Sequence, residues 1–274
     1  MPSPLASIDR LVLVGCGKMG GAMLEGWLKL GLPPCAVRAL DPKPPEEVAR
    51  MLARAGIALN PTEAAPAEIV VVAVKPQVMD AVLPTIRGWV GPTTLIVSVA
   101  AGKTIATFES VFGPTTAIVR TIPNTPAAVA RGMTVGVANA AVTAAQRATT
   151  ETLLSAIGVF DWVDDEALID VATAVSGSGP AYVFHLVEAL AAAGAAQGLP
   201  PALAAKLARV TVEGAGELLH QSPLDPAILR QNVTSPGGTT AAALEHLMNP
   251  ETGFAPLLAR AVEAATRRAR ELAG

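Results

Sequence analysis

Hydrophobic and polar positions change rhythm once along this chain. Up to about residue 163, short β-branched apolar runs alternate with amphipathic stretches, the pattern of βαβ units and a mainly parallel sheet. Runs at 11–14, 37–40, 69–73, 94–99 and 117–120 predict strands, and 19–30, 46–55, 77–86 and 105–112 predict helices, several of them closed by Gly or Pro. Two further strands, at 133–138 and 159–163, flank a helix at 144–157 for which Thr143 serves as the N-cap. Beyond Asp164 the strands stop and the composition becomes helical and rich in alanine. Gly179-Pro180 opens a helix that runs to Gly198, Pro200-Pro201 opens one that runs to about Leu219, and others are expected at 226–232, 240–248 and 253–272. The expected organisation is an α/β domain over 1–163 followed by an all-α domain over 164–274. Within the second, 182–196 is apolar on nearly every side, which predicts a subunit interface, with burial inside one monomer as the alternative.

Composition removes several function classes. Of 274 residues, 51% are hydrophobic and 16% charged, which suits a folded core, and 3% aromatic content makes that core aliphatic and alanine-packed. Lys and Arg number 20 against 23 Asp and Glu, so the net charge of -3 provides no field to hold nucleic acid. Cys16 and Cys35 are too few for a disulfide framework or a cysteine zinc cage, and His185, His220 and His246 are scattered, so no metal and a reducing cytoplasm are expected. The N-terminus, with Pro2, Pro4, Asp9 and Arg10, lacks the pattern of a signal peptide. Glu188, Lys206, Arg209 and Glu213 interrupt the apolar stretches before they reach the ~18 residues of a membrane span, so no membrane partner is expected.

The chemistry begins at Gly15-Cys16-Gly17-Lys18-Met19-Gly20, directly after a predicted strand and directly before a helix. In that context Gly15 permits a tight turn, Gly17 lets the backbone approach a pyrophosphate, and Gly20 lets the helix pack on the strand, as in a Rossmann dinucleotide-binding domain. Asp41, about 26 residues after Gly15, is placed to reach the adenosine ribose hydroxyls as in an NAD site, whereas Lys43 is suited to a 2′-phosphate, so the segment is open between NAD and NADP. Lys75 and Pro76, after Ala73-Val74, and the segment from Ser98 through Val99, Ala100, Ala101 and Gly102 reach the carboxyl edge of the sheet, where ligands of open α/β folds bind. The segment from Arg120 to Pro126 reads as a rigid polar loop. In the helical half, Ser176-Gly177-Ser178-Gly179-Pro180 and Thr234-Ser235-Pro236-Gly237-Gly238-Thr239-Thr240 precede helices and offer amides and hydroxyls to a small anion such as a carboxylate.

Taken together, the motifs Gly15-Cys16-Gly17, Ala73-Val74-Lys75-Pro76, Pro123-Asn124-Thr125-Pro126, Ser176 through Tyr182 and Ser235 through Thr240 resemble those of pyrroline-5-carboxylate reductases, and the match runs over nearly the whole chain. The resemblance implies a Rossmann domain, then a helical dimerisation domain that interleaves with a partner, dimers gathered into rings such as a decamer, and an active site shared between the domains. It implies the reduction of 1-pyrroline-5-carboxylate to L-proline, the last step of proline biosynthesis, with NADPH as coenzyme and NADH as the alternative. Carried over by position, it implies that Gly15, Cys16, Gly17, Lys18, Met19, Gly20, Asn60, Ala73, Val74, Lys75, Pro76, Val99, Ala100 and Ala101 contact the dinucleotide, beside Asp41 and Lys43, which the residues themselves place at its adenosine end. Glu166, Ser235, Gly237, Gly238, Thr239 and Thr240 would contact the substrate, with the Thr240 hydroxyl on the ring nitrogen as the catalytic contact. Lys18 and Asp41 depart from the amide and hydroxyl side chains usual in the family.

Two other classes fit the same architecture. Hydroxyacid dehydrogenases carry a catalytic lysine on the first long helix of the second domain, but here that helix reads Ala181-Tyr182-Val183-Phe184-His185-Leu186-Val187-Glu188, and His185 is expected to be a packed core or interface residue rather than catalytic. A redox-sensing regulator would need a partner-binding or DNA-binding appendage, of which the sequence gives no sign.

Overall fold

The computed structural model describes residues 5–273, so Pro2 and Pro4 of the N-terminal reading lie outside the described residues. Eight strands form one sheet: β1 (Leu11–Val14), β2 (Val37–Leu40), β3 (Ala58–Leu59), β4 (Ile69–Val72), β5 (Leu95–Ser98), β6 (Ala117–Pro123), β7 (Gly132–Ala138) and β8 (Gly158–Trp162), in the order β3-β2-β1-β4-β5-β6-β7-β8. All pairs are parallel except β6 with β7. The central strands β1, β4 and β5 are buried at every position, which explains why they read as unbroken apolar runs instead of alternating ones. Their side chains still alternate between two cores. Leu11, Leu13, Val71 and Val97 join Trp27 and Leu153 on one face, while Val12, Val14, Val70 and Val72 join Met79 and Phe108 on the other.

The connecting helices are α1 (Lys18–Lys29), α2 (Glu46–Ala55), α3 (Pro76–Val82), α4 (Ile105–Phe112) and α5 (Ala144–Ser155). Thr143 caps α5 as expected and forms a full capping box with Gln146, each residue satisfying the other's backbone N–H. The sheet order reverses at β1, between β2 and β4, so the turns that follow β1 and β4 open side by side at the carboxyl edge. That is the switch point at which open α/β sheets bind ligands.

Four local readings are corrected. The short edge strand β3 was not expected. The helix expected over 77–86 gives way after Val82 to a 3-10 stretch, Leu83–Trp89, with Pro84 near its start. The strand expected to end at Arg120 continues as β6 through Pro123, so Thr121–Pro123 is not loop, and Arg120 and Thr121 are buried there. The Ser176–Ser178 segment does not open a fresh helix with free amides: α6 (Ala167–Ala172) runs into a π-helical turn, Thr173–Gly177, α7 follows directly, and the Ser178 N–H is donated to the Thr173 carbonyl at 2.8 Å.

The helical part consists of α7 (Gly179–Ala196), α8 (Pro201–Gln221), α9 (Pro226–Asn232), α10 (Thr239–Leu247) and α11 (Phe254–Ala273). Two compact units result, one of residues 5–178 with 265–273 and one of residues 179–264. The expected division at 163/164 lies just past the end of the sheet, and the helix α6 beyond it stays with the sheet. Helix α7 buries none of its residues within the chain, with Phe184 at 64% exposure, so its apolar surface is not a monomer core. His185 is exposed within the chain and held by Glu188 one turn on, at 2.9 Å, so of the two packed places expected for it, core or interface, it is not in a monomer core.

Candidate active site

The turn after β1 is built by exclusion. Gly15 has φ +93, and a Cβ there would stand 2.8 Å from the Ala73 carbonyl group, so only glycine lets the β1 turn pass the end of β4. Gly20 faces back onto this turn, and a Cβ on it would strike the Gly15 carbonyl oxygen. Gly17 is different: a Cβ there meets nothing within 4 Å, so its surface is open. It caps α1 without any side-chain hydrogen bond, leaving the leading amides of a 12-residue helix uncommitted to a cap. An uncapped helix start over an open glycine is the arrangement that receives a pyrophosphate, so these residues fit a dinucleotide.

Next to it, Asp41 is held on all sides. Its carboxylate accepts the Cys16 N–H at 2.7 Å and the Lys43 N–H at 2.8 Å. Its own N–H donates to Asn60 Oδ1 at 2.8 Å, and Asn60 Nδ2 donates back to the Asp41 carbonyl at 2.7 Å. Asn60 adopts φ 50 to do so, a conformation asparagine tolerates better than most residues. The β2 carboxylate is thereby fixed to the glycine turn it faces.

A cleft of about 860 Å³ collects these parts, lined by Gly15, Gly17, Asp41, Asn60, Ala73, Val74 and Lys75, with an apolar end at Ile86 and Trp89. Of the residues expected at a coenzyme, those seven line it. Cys16 is buried beneath the turn, and Lys18 lines a separate groove with Glu25 and Glu47. Lys43 is exposed and outside the cleft lining; Val99 and Ala100 are buried, and Ala101 and Pro76 line a smaller cavity of about 320 Å³ with Lys103 and Asp170. Lys75 is the only cation lining the larger cleft, among the described residues.

An ionic fork with a buried guanidinium lies at the same carboxyl edge; the sequence points to Glu166 as a substrate contact and to Arg120 only as part of a polar segment, and does not single out Asp170. Arg120, in register with Ser98 of β5, donates from Nη1 to Glu166 Oε1 at 2.9 Å and from Nη2 to Asp170 Oδ1 at 3.1 Å. The same Glu166 oxygen accepts the Ile105 N–H at 2.9 Å, at the start of α4. Just past the end of β6, Asn124 spans two of the sequence motifs: it donates to the carbonyl and hydroxyl of Ser176 and accepts the Met133 N–H. A polar residue amid apolar strands, with acidic residues about fifty positions later, was the available signal for the fork.

In the helical unit, Ser235, Gly237 and Gly238 shape the start of α10. Gly237 has φ +67, and the Gly238 N–H closes a turn onto the Ser235 carbonyl at 3.0 Å. Gly238 caps α10 without a side-chain bond, Thr239 and Thr240 form its first two positions, and the half-buried Thr240 hydroxyl has no hydrogen-bond partner among the described residues. Among the described residues no three His, Cys, Asp or Glu side chains gather as a metal ion requires.

The comparisons with known proteins decide the family. Residues 166–272 match the model described as pyrroline-5-carboxylate reductase dimerisation, and residues 10–102 match that of NADP oxidoreductase, coenzyme F420-dependent. A pyrroline-5-carboxylate reductase of Pseudomonas aeruginosa is 41% identical over 269 residues, covering 97% of this chain and 98% of that protein. The chain belongs to the pyrroline-5-carboxylate reductase family. The Escherichia coli reductase is 36% identical over 94% of this chain and 95% of its own. The solved structure of a Coxiella burnetii reductase superposes with a TM-score of 0.88 at 31% identity, covering 98% of this chain and all of that one (100%). A Plasmodium falciparum pyrroline carboxylate reductase solved with NADP bound gives a TM-score of 0.79 at 27% identity over 98% and 99% of the two chains. The family places the α/β unit and the dimerisation helices in the order that the strand and helix patterns predict, and no helix among the described residues is long and apolar enough to cross a membrane.

Proposed function

We infer that this chain reduces 1-pyrroline-5-carboxylate to L-proline with NAD(P)H, the last step of proline biosynthesis. What carries the reading is the combination of an open, uncapped glycine turn over a dinucleotide-sized cleft with full-length likeness to reductases of this name. The functional division follows the expected domains, with coenzyme on 1–163 and substrate and dimerisation on 164–274. Gly15, Cys16, Gly17, Lys18, Met19 and Gly20 carry the pyrophosphate; Asp41, Lys43 and Asn60 take the adenosine end; Ala73, Val74, Lys75, Pro76, Val99, Ala100 and Ala101 border the nicotinamide half. Glu166, Ser235, Gly237, Gly238, Thr239 and Thr240 hold the substrate, and the helical part of each site is donated by the partner in a dimer, with dimers gathered into a decameric ring in the cytoplasm.

When bound, the coenzyme would supply a hydride to the C=N carbon of the protonated imine, whose π pair would become the nitrogen lone pair of the neutral amine. The chain's task is position and charge. The α10 amides hold the carboxylate, and the Thr240 hydroxyl orients the ring nitrogen and handles its proton. A protonated imine is already electrophilic, so no strong acid is required.

Steady-state oxidation of NADPH and NADH, in parallel, with pyrroline-5-carboxylate as the only acceptor, tests this. Turnover is expected with at least one coenzyme, and Thr240→Ala is expected to lose about 10²-fold in kcat with coenzyme binding retained. Binding of both coenzymes without oxidation of either would refute the substrate, and an unchanged rate in a folded Thr240→Ala would remove Thr240 from the mechanism.

A further inference from the structure

We propose that Arg120 is a positioning residue of the reductase, which together with Asp170 sets the orientation and the charge that Glu166 offers to the substrate. The proposal rests on the reading in which Glu166 meets the imine. Three observations carry it. The guanidinium is buried, with a side chain 3% exposed, whereas Glu166 is 31% exposed, so the fork runs from the protein interior to a surface facing water. Glu166 spends only one oxygen on the fold: Oε1 takes both the Arg120 and the Ile105 donors, and Oε2 has no partner among the described residues. Two carboxylates share one guanidinium, so the cluster keeps a net charge of -1 once the ever-protonated arginine has been counted.

That residual charge matters for the chemistry. The imine is a cation when it takes the hydride, and a carboxylate neutralised by a private arginine would give it little. Asp170 occupies the second arm of the fork and so leaves Glu166 incompletely neutralised. Lys103, which lines the small cavity with Asp170, is itself paired to Asp80 at 2.7 Å and does not cancel it. A fork required only for folding is a poor bargain, since a buried ion pair is often no more stable than an apolar replacement, and here Arg120 Nε is left buried without a partner. The fork does fix direction. Arg120 lies beside Ser98 at the end of β5, and Ile105 starts α4 just beyond Ala101, so Glu166 is tied to the strand beside the segment expected at the nicotinamide and to the helix that follows it.

The experiment compares Arg120→Met, Asp170→Asn, Glu166→Gln and the double variant Arg120→Met/Glu166→Gln. It measures NADPH affinity by quenching of tryptophan emission, Trp89 lining the coenzyme cleft, and kcat and KM for pyrroline-5-carboxylate. Arg120→Met is expected to lower kcat/KM for the imine by about tenfold or more, with NADPH affinity kept within about threefold, and the double variant is expected to be no worse than the poorer single one. Asp170→Asn, nearly isosteric, is expected to lower kcat/KM by about fivefold while folding normally, which keeps the test decisive if Arg120→Met does not fold. A folded Arg120→Met or Asp170→Asn with lower thermal stability but kcat/KM unchanged would overturn the proposal, as would losses that multiply in the double variant. If Glu166→Gln alone leaves kcat/KM unchanged, the substrate role of Glu166 falls and the proposal with it. If Glu166→Gln loses activity and the other two do not, only the proposal falls.

Discussion

At the scale of single residues, Cys16 illustrates how a binding loop is kept chemically silent. Its thiol is fully buried under the glycine turn while its N–H is donated to Asp41. Burial first, and then the Asp41 carboxylate, pushes the thiol from 9.0 up to about 12. In the unfolded chain the proton leaves near 9.0, and in the folded chain it stays on until about 12, so across that window the folded state holds the extra proton. Stability from this group is therefore complete below the lower value and is lost as pH rises through the window, at about 1.4 kcal/mol per pH unit for one proton. Urea unfolding from neutral to strongly alkaline pH should show this slope in the wild type, and Cys16→Ala should lack it. Parallel curves would mean that the thiol does not titrate in this way. Exposed Cys35 should react readily with an alkylating agent at pH 8, with Cys16 spared.

At the scale of elements, the β1 turn and α1 stand or fall together. A methyl on Gly20 meets the Gly15 carbonyl, which is backbone and cannot swing aside, so Gly20→Ala must push α1 off the turn. NADPH affinity is expected to fall by about tenfold or more, since the pyrophosphate site depends on the helix start lying close to the strand; unaltered affinity would show that the turn relaxes without cost. This motif was legible from sequence because all its causes are local: an apolar strand, three glycines and a helix. The same holds for the Thr143 cap and the bounds of α2 and α4, where caps and periodicity lie within a few residues of one another. The predicted strand ends at Arg120, and Thr121 reads as loop because it is polar; both are strand because α6 brings Glu166 and Asp170 to the guanidinium and the Ser98 carbonyl accepts the Thr121 hydroxyl. Asn124 and Ser176 were each visible as motif residues, but their pairing spans 52 positions. Interactions that distant leave no periodic trace in one sequence, and the π-helical turn at Thr173–Gly177 was hidden by the turn-like composition of Ser176-Gly177-Ser178.

At the scale of the whole molecule, the helical unit carries apolar surface that this chain alone does not cover. Phe184 is 64% exposed, Val210 55% and Leu257 50%, on three different helices. Monomers rarely leave contiguous apolar patches of more than a few hundred Å² in water. The aliphatic, alanine-rich composition that first suggested a tightly packed core thus supplies a second hydrophobic surface, and the dimerisation family matched by residues 166–272 accounts for it. A charge at that surface should separate assembly from coenzyme binding. Phe184→Glu is expected to shift the chain to a monomer by sedimentation or light scattering at micromolar concentration, because an unpaired carboxylate buried in an apolar interface costs several kcal/mol, on the order of a thousandfold in association. The α/β unit keeps its own core on both faces of the sheet, so the monomer should still bind NADPH. It should not turn over pyrroline-5-carboxylate if the α10 donors of each site come from the partner. A Phe184→Glu monomer with full turnover would place those donors within the same chain, and a variant that remains dimeric would move the interface away from α7.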